Sequence, residues 1–210
     1  LAPGAANCTV RTVVSGAPLA FRMRPVEIID GGAGDGGSDT LDVLVGNSGV
    51  SVGPVVYAPV AAGTLNLASR AGYFDRDVFV AVPGGAPTAD CTMSTVSGLP
   101  VDPLLPTKIT HGTAGRIVPP AGYDFGGGGD LFNLGAAPRL ITYRIESTGT
   151  RRGLYAVNRL APAAAPVEIG AGIIDLQALY GYDADGDNVI AEATGGAPGE
   201  WVAVLPVPTD

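Results

Sequence analysis

Leu140-Ile-Thr-Tyr-Arg-Ile-Glu146, then Ser147-Thr-Gly-Thr-Arg-Arg152, then Gly153-Leu-Tyr-Ala-Val-Asn-Arg-Leu160 is the stretch that decides the fold class. In its first part Ile141, Tyr143 and Ile145 fall on one face. In its last part Leu154, Ala156, Asn158 and Leu160 alternate with Tyr155, Val157 and Arg159. Alternation with a period of two is what a half-buried strand requires, because successive side chains point to opposite faces. The polar, glycine-containing segment between them is turn chemistry, so the whole predicts a β-hairpin with a moderately long loop.

The same period recurs on both sides of this unit. Thr40–Gly46 places Leu41, Val43 and Val45 on one face, Asp77–Val82 is a nearly continuous apolar run, and Cys91–Val96 sets Met93 and Thr95 on the face of Cys91. Gly172–Tyr182 aligns Ile174, Leu176, Ala178, Tyr180 and Tyr182 as a strand. Ile173, Leu176, Gln177 and Tyr180 also have helical spacing, but bounding glycines and the Ile and Tyr content favour the strand. Asp30–Ser38, Leu99–Pro106, Phe125–Asp130 and Ala161–Pro166 read as loops rich in glycine, proline or alanine. The expectation is a mainly β chain of antiparallel sheets with long Gly/Pro-rich loops and little helix. It forms one head over residues 1–210, with a weak division near Pro100–Pro120 into β subdomains 1–100 and 120–210.

Composition supports folding over disorder. Glycine and proline are abundant (32 and 18 residues), yet 46% of the chain is hydrophobic, so burial can offset chain entropy. The net charge of −8 and the lack of a Lys/Arg cluster disfavour nucleic acid as a partner. Arg144, Arg151, Arg152 and Arg159 form the densest basic group and read as a solvated face of the hairpin. No run approaches the ~20 apolar residues of a membrane helix. Two cysteines, Cys8 and Cys91, allow one internal pairing in an oxidising compartment or stand as two buried thiols; the pairing is preferred.

Asp183-Ala-Asp-Gly-Asp-Asn188 is the best local motif. Carboxylates at alternate positions, with a glycine to let the chain curl, can converge on a hard cation such as calcium. The candidate ligands are Asp183, Asp185 and Asp187, with Glu192 closing the site. The glycine falls at the fourth position, so the loop is not an EF-hand, and the same residues also suit an acidic hairpin turn without metal. Asp30, Asp35, Asp39 and Asp42 read as an acidic solvated loop. The sole histidine, His111, lies in the turn-like Thr-His-Gly-Thr, where exposure is the expectation; a Ser/His/Asp triad would have to use it. No nucleophile elbow, phosphate loop or dinucleotide fingerprint is present, so no catalytic or cofactor-binding residue is assigned.

Several blocks stand in a recognisable order: Pro25–Gly32 (PVEIIDGG), Gly37–Gly46 (GSDTLDVLVG), Phe74–Val82 (FDRDVFVAV), Asp90–Val96 (DCTMSTV), Leu131–Gly135 (LFNLG), the hairpin, and Val167–Asp187 (VEIGAGIIDLQALYGYDADGD). The series resembles PilW-type minor pilins of type IV pili, relatives of the J-type pseudopilins of type II secretion, over nearly the whole chain. The last block is the most specific. The resemblance implies a pilin-like β-rich head and, ahead of Leu1, an N-terminal helix that anchors the subunit in the inner membrane and later packs in the pilus core. It implies a Gram-negative source, residence in the inner membrane and periplasm before assembly, and then an extracellular pilus. Implied partners are other minor pilins, the major pilin and a tip adhesin, with membrane contact only through the helix absent from these residues. A non-catalytic subunit priming pilus assembly or seated at the tip is the leading expectation. A secreted calcium-stabilised adhesin or carbohydrate-binding β domain is the alternative, and a secreted hydrolase using His111 is a distant third.

Overall fold

The computed structural model describes residues 8–32, 37–49, 53–61, 63–84, 90–100, 107–112, 115–183, 189–190 and 200–202. These residues are mainly β and contain no helix, so none is long and apolar enough to cross a membrane. The strands are β1 (Thr9–Val14), β2 (Ala17–Arg22), β3 (Val26–Ile29), β4 (Thr40–Val45), β5 (Val55–Ala61), β6 (Thr64–Leu67), β7 (Val78–Pro83) and β8 (Cys91–Gly98). They continue with β9 (Lys108–His111), β10 (Ile117–Val118), β11 (Gly129–Gly135), β12 (Arg139–Thr148), β13 (Arg151–Asn158), β14 (Val167–Ala171), β15 (Tyr180–Gly181) and β16 (Trp201–Val202). The chain divides into two compact units: residues 1–25, 44–140 and 158–164, and residues 26–43, 141–157 and 165–210. The expected division near Pro100–Pro120 is not where the chain parts. Early strands β3 and β4 join the same sheet as β12 to β14, so the units interleave along the sequence.

The first unit contains a closed barrel. Strand β8 pairs with β7, β7 with β11, β11 with β5, β5 with β6, β6 with β9, and β9 returns to β8, every step antiparallel. The order β11-β7-β8-β9 is a Greek key, and closure leaves no edge inside the ring. Strands β1, β2 and β10 extend the sheet, with β1 running parallel to β8 through Val10 and Cys91.

Period-two alternation explains why this body has two apolar clusters. On β7, Val78 and Val80 join Val10, Phe21, Met93, Ile117 and Leu160 outside the ring. Phe79 and Ala81 turn the other way, to meet Tyr57, Leu65, Ile109, Phe125 and Leu131 inside it. A strand covered on both faces must read as a continuous apolar run, which is what residues 78–82 show. Strand β11 is bent by a bulge between Asn133 and Gly135, where the Asn133 side chain accepts the Gly135 N–H at 2.7 Å. Gly135 has φ 81°, and a Cβ there would meet Asn47 Oδ1 at 2.5 Å, so glycine is required.

The second unit is built on the hairpin. The five-stranded sheet runs β14-β13-β12-β4-β3, and only Gly149 and Thr150 separate β12 from β13. The loop is therefore shorter than expected, because Thr148 and Arg151 remain in the ladder and Gly149 takes φ 64°. Two expectations are corrected here. Leu41, Val43 and Val45 are not the buried side of β4: Val45 is exposed while Asp42, on the opposite face, is buried. Gly172–Tyr182 is not one strand. Gly172, at φ 74°, ends β14, and the chain stays irregular until Tyr180. Backbone bonds that a strand would have made are taken by Asp39, whose N–H donates to Leu176 O at 2.8 Å and whose carboxylate accepts Ala178 N–H at 2.7 Å.

Candidate functional site

His111 ends β9 with its side chain inside the barrel, not in an exposed turn. Ile109 and His111 alternate on the inward face, and the backbone N–H of His111 donates to Gly63 O at 2.9 Å. The imidazole stands edge-on to Phe79 (centroids 6.0 Å apart) and in tilted contact with Phe125 at 4.5 Å. It is 9% exposed, and among the described residues neither ring nitrogen has a hydrogen-bond partner. Burial lowers the pKa of the ring from its ordinary value, since the charged form would lose solvation without gaining a partner.

This histidine lines a cavity of about 640 Å³ at the end of the barrel where β5 finishes, β6 begins and β9 ends. Pro59, Leu65 and Val118 form its walls, and residues 119–125, ending in Tyr123, Asp124 and Phe125, cover it. The cover is held by hydroxyls. Tyr57 donates to Phe125 O at 3.0 Å, and Tyr123 donates to Asp90 O at 2.8 Å. Beyond the cover the glycine run enters β11: Gly128 has φ 121°, and a Cβ there would stand 2.5 Å from Tyr57 O. Burial, with Asp90 and Asp124 adding repulsion, pushes the Tyr123 phenol up to about 12. Tyr57 is pushed higher still, by burial first and by Tyr123, Asp124 and Asp130 after it. At neutral pH the cavity thus presents an uncharged imidazole and the protonated Tyr123 phenol, with Asp124 at an exposed position.

The other residues singled out in the sequence fall elsewhere. Cys8 and Cys91 are joined in a disulfide with Cα atoms 5.7 Å apart, tying the residue ahead of β1 to the first residue of β8. Asp183 is half-buried just after β15, where Tyr182 N–H donates to Glu200 O at 2.7 Å; Asp185, Asp187 and Glu192 lie outside the described residues. Among the described residues no group of three His, Cys, Asp or Glu side chains gathers as metal donors. The acidic loop reading is corrected for two of its members. Asp39 and Asp42 are each 4% exposed: Asp39 accepts N–H groups from Gly31 and Ala178, and Asp42 accepts the Thr142 hydroxyl. Asp30 is exposed and Asp35 lies outside the described residues. Arg144, Arg151 and Arg152 are exposed and Arg159 half-buried, with Arg144 paired to Glu146 at 2.6 Å.

Sequence reasoning missed the barrel-mouth site because its walls come from five separated segments. The available signal was the Ile109/His111 alternation in Lys108–His111, which placed the imidazole on the buried face. It also missed a network around Asp77 and Tyr73. Asp77 accepts Asn133 Nδ2–H at 2.8 Å and Phe74 N–H at 2.9 Å, while Tyr73 donates to Leu131 O at 3.2 Å. No known protein family, curated protein or solved structure matches the chain.

Proposed function

We infer that this chain is the exported, non-catalytic head of a type IV pilus minor pilin of the PilW type, an assembly subunit that works through its surfaces. The observation that carries the reading is where apolar side chains meet solvent. In the second unit Val167, Ile169, Ile174, Leu179 and Trp201 are all exposed. An apolar contact surface is what such a concentration of exposed side chains in one stretch of chain would supply, provided they form a contiguous patch. Four of those five residues lie within Val167–Asp187, the block of sequence that most specifically resembles the family. A Cys8–Cys91 bridge fits an oxidising, exported environment and braces the start of the head against pulling. Calcium held by Asp183, Asp185, Asp187 and Glu192 belongs to the same reading, as a lock on the acidic segment Asp183–Asn188. In that case EDTA lowers the melting temperature and added calcium restores it; an unchanged transition argues against the metal.

The test is genetic. In the source bacterium, deleting the gene should remove or sharply reduce surface pili in electron micrographs, the wild-type gene should restore them, and an Ile169→Asp/Ile174→Asp gene should not. Normal piliation in the deletion strain would refute the assignment.

A further inference from the structure

We propose that the mouth of the barrel is a binding site for a small, neutral aromatic alcohol, a ligand of the phenol class. The cavity, at about 640 Å³, lies within the ~300–1,000 Å³ typical of small-molecule sites. Its lining is apolar and rich in flat groups: Pro59, Leu65, Val118, Tyr123 and Phe125, with the His111 ring among them. That surface suits an aromatic body, which gains from edge-to-face and stacked contacts beyond simple area burial.

The polar requirement comes from His111. A neutral imidazole carries one donor and one acceptor, and neither has a partner here among the described residues. Leaving buried polar atoms unpaired is costly, and each such case asks for an explanation. A hydroxyl is matched to either tautomer, because it both donates and accepts. Charge argues in the same direction. No Lys or Arg is found among the described lining residues, and Asp124 is a carboxylate, so anionic ligands are disfavoured. A sugar, with many hydroxyls to satisfy, would find few polar side chains: His111, Tyr123, whose hydroxyl already donates to Asp90 O, and Asp124 at an exposed position. Both ring nitrogens are closed to solvent, and the Phe125 ring packs against the imidazole with centroids 4.5 Å apart. The ligand therefore reaches the imidazole by turning that ring aside.

His111 is the sole histidine, so its two ring C–H signals report the site without assignment. The 210-residue chain is titrated with p-cresol, toluene and benzoate and followed by proton NMR. The expected result is saturable one-to-one binding of p-cresol that shifts the imidazole signals. One hydrogen bond is worth about tenfold in affinity, so toluene should bind about tenfold more weakly, and benzoate should be the weakest of the three. In His111→Phe, followed by ligand-observed proton NMR, p-cresol should fall to the affinity of toluene. The wild-type comparison decides the matter even if that variant folds poorly. The proposal is overturned if p-cresol gives no saturable shift up to about 10 mM, a limit set by the weakest useful affinities, or if p-cresol and toluene bind equally, or if benzoate binds best.

Discussion

The two units use the same chain composition in opposite ways. In the barrel unit, strands β7, β8 and β11 bury side chains on both faces, and Val78, Phe79, Val80, Ala81 and Leu131 are at most 1% exposed. In the smaller unit the apolar side chains of β14 and the segment after it stand in solvent. There the chain is positioned by polar groups: Asp39 on Gly31 and Ala178, Ser38 on Asp175 at 2.7 Å, and the Tyr180 hydroxyl on Ile28 N–H. Hydrogen bonds from Ser38 and Gln177 also hold Asp175 below the usual carboxylate range. The difference teaches that one chain can be held together in two ways. A closed ring supplies its own core, while a sheet held by carboxylates can leave its apolar side chains for another surface.

Core truncation breaks this contrast most sharply. Phe79→Ala should destabilise the chain by about 3–5 kcal/mol, whereas Ile174→Ala, at a residue 66% exposed, should stay within about 0.5 kcal/mol. Chemical denaturation of the two variants measures both. The bridge comes next: replacing Cys8 and Cys91 with serine opens an 83-residue separation and should cost about 2–4 kcal/mol. Differential scanning calorimetry with and without reductant should show a matching loss in the wild type.

Asp39→Ala tests the other side of the comparison. It strands the N–H groups of Gly31 and Ala178, at a cost of about 1–3 kcal/mol. Faster hydrogen exchange should be confined to residues 28–31, 39–43 and 176–180, with the barrel amides unchanged. Global acceleration would show that the polar clamp also supports the ring.

The smallest effect is a pH dependence. Burial lowers the folded-state pKa of His111, so the unfolded chain binds the proton more readily than the folded one. The stability owed to the neutral ring is complete above the unfolded value, about 6.5, and is lost as pH falls from there towards the folded pKa. His111→Phe should flatten that slope in denaturation curves collected from pH 7 downwards to the onset of carboxylate titration. An unchanged slope would place the titrating group elsewhere.

Much of the fold was legible where local pattern and final environment agree. The β7 run, the alternation in β8 and the β12–β13 pair all follow from side chains whose faces are set by neighbours in the same strand. Barrel closure was not legible, because it depends on β9, four residues pairing with β6 and β8 across long separations. Asp39 and Asp42 read as solvated because their partners are distant: Ala178 lies 139 residues from Asp39, and Thr142 lies 100 from Asp42. A carboxylate buried by such a partner looks, in sequence, like any loop acid. His111 failed for a related reason: the glycine after it suggested a turn, and its own strand is only four residues long.

The central claim is that the smaller unit carries the contact surface and the barrel does not. Val56, on β5, and Ile174 offer matched probes, at 61% and 66% exposed. A photoreactive amino acid placed at each in turn, in piliated cells of the source bacterium, should give strong crosslinks to pilus subunits from position 174 and none from position 56. Crosslinks from position 56 alone, or from neither, would contradict the account.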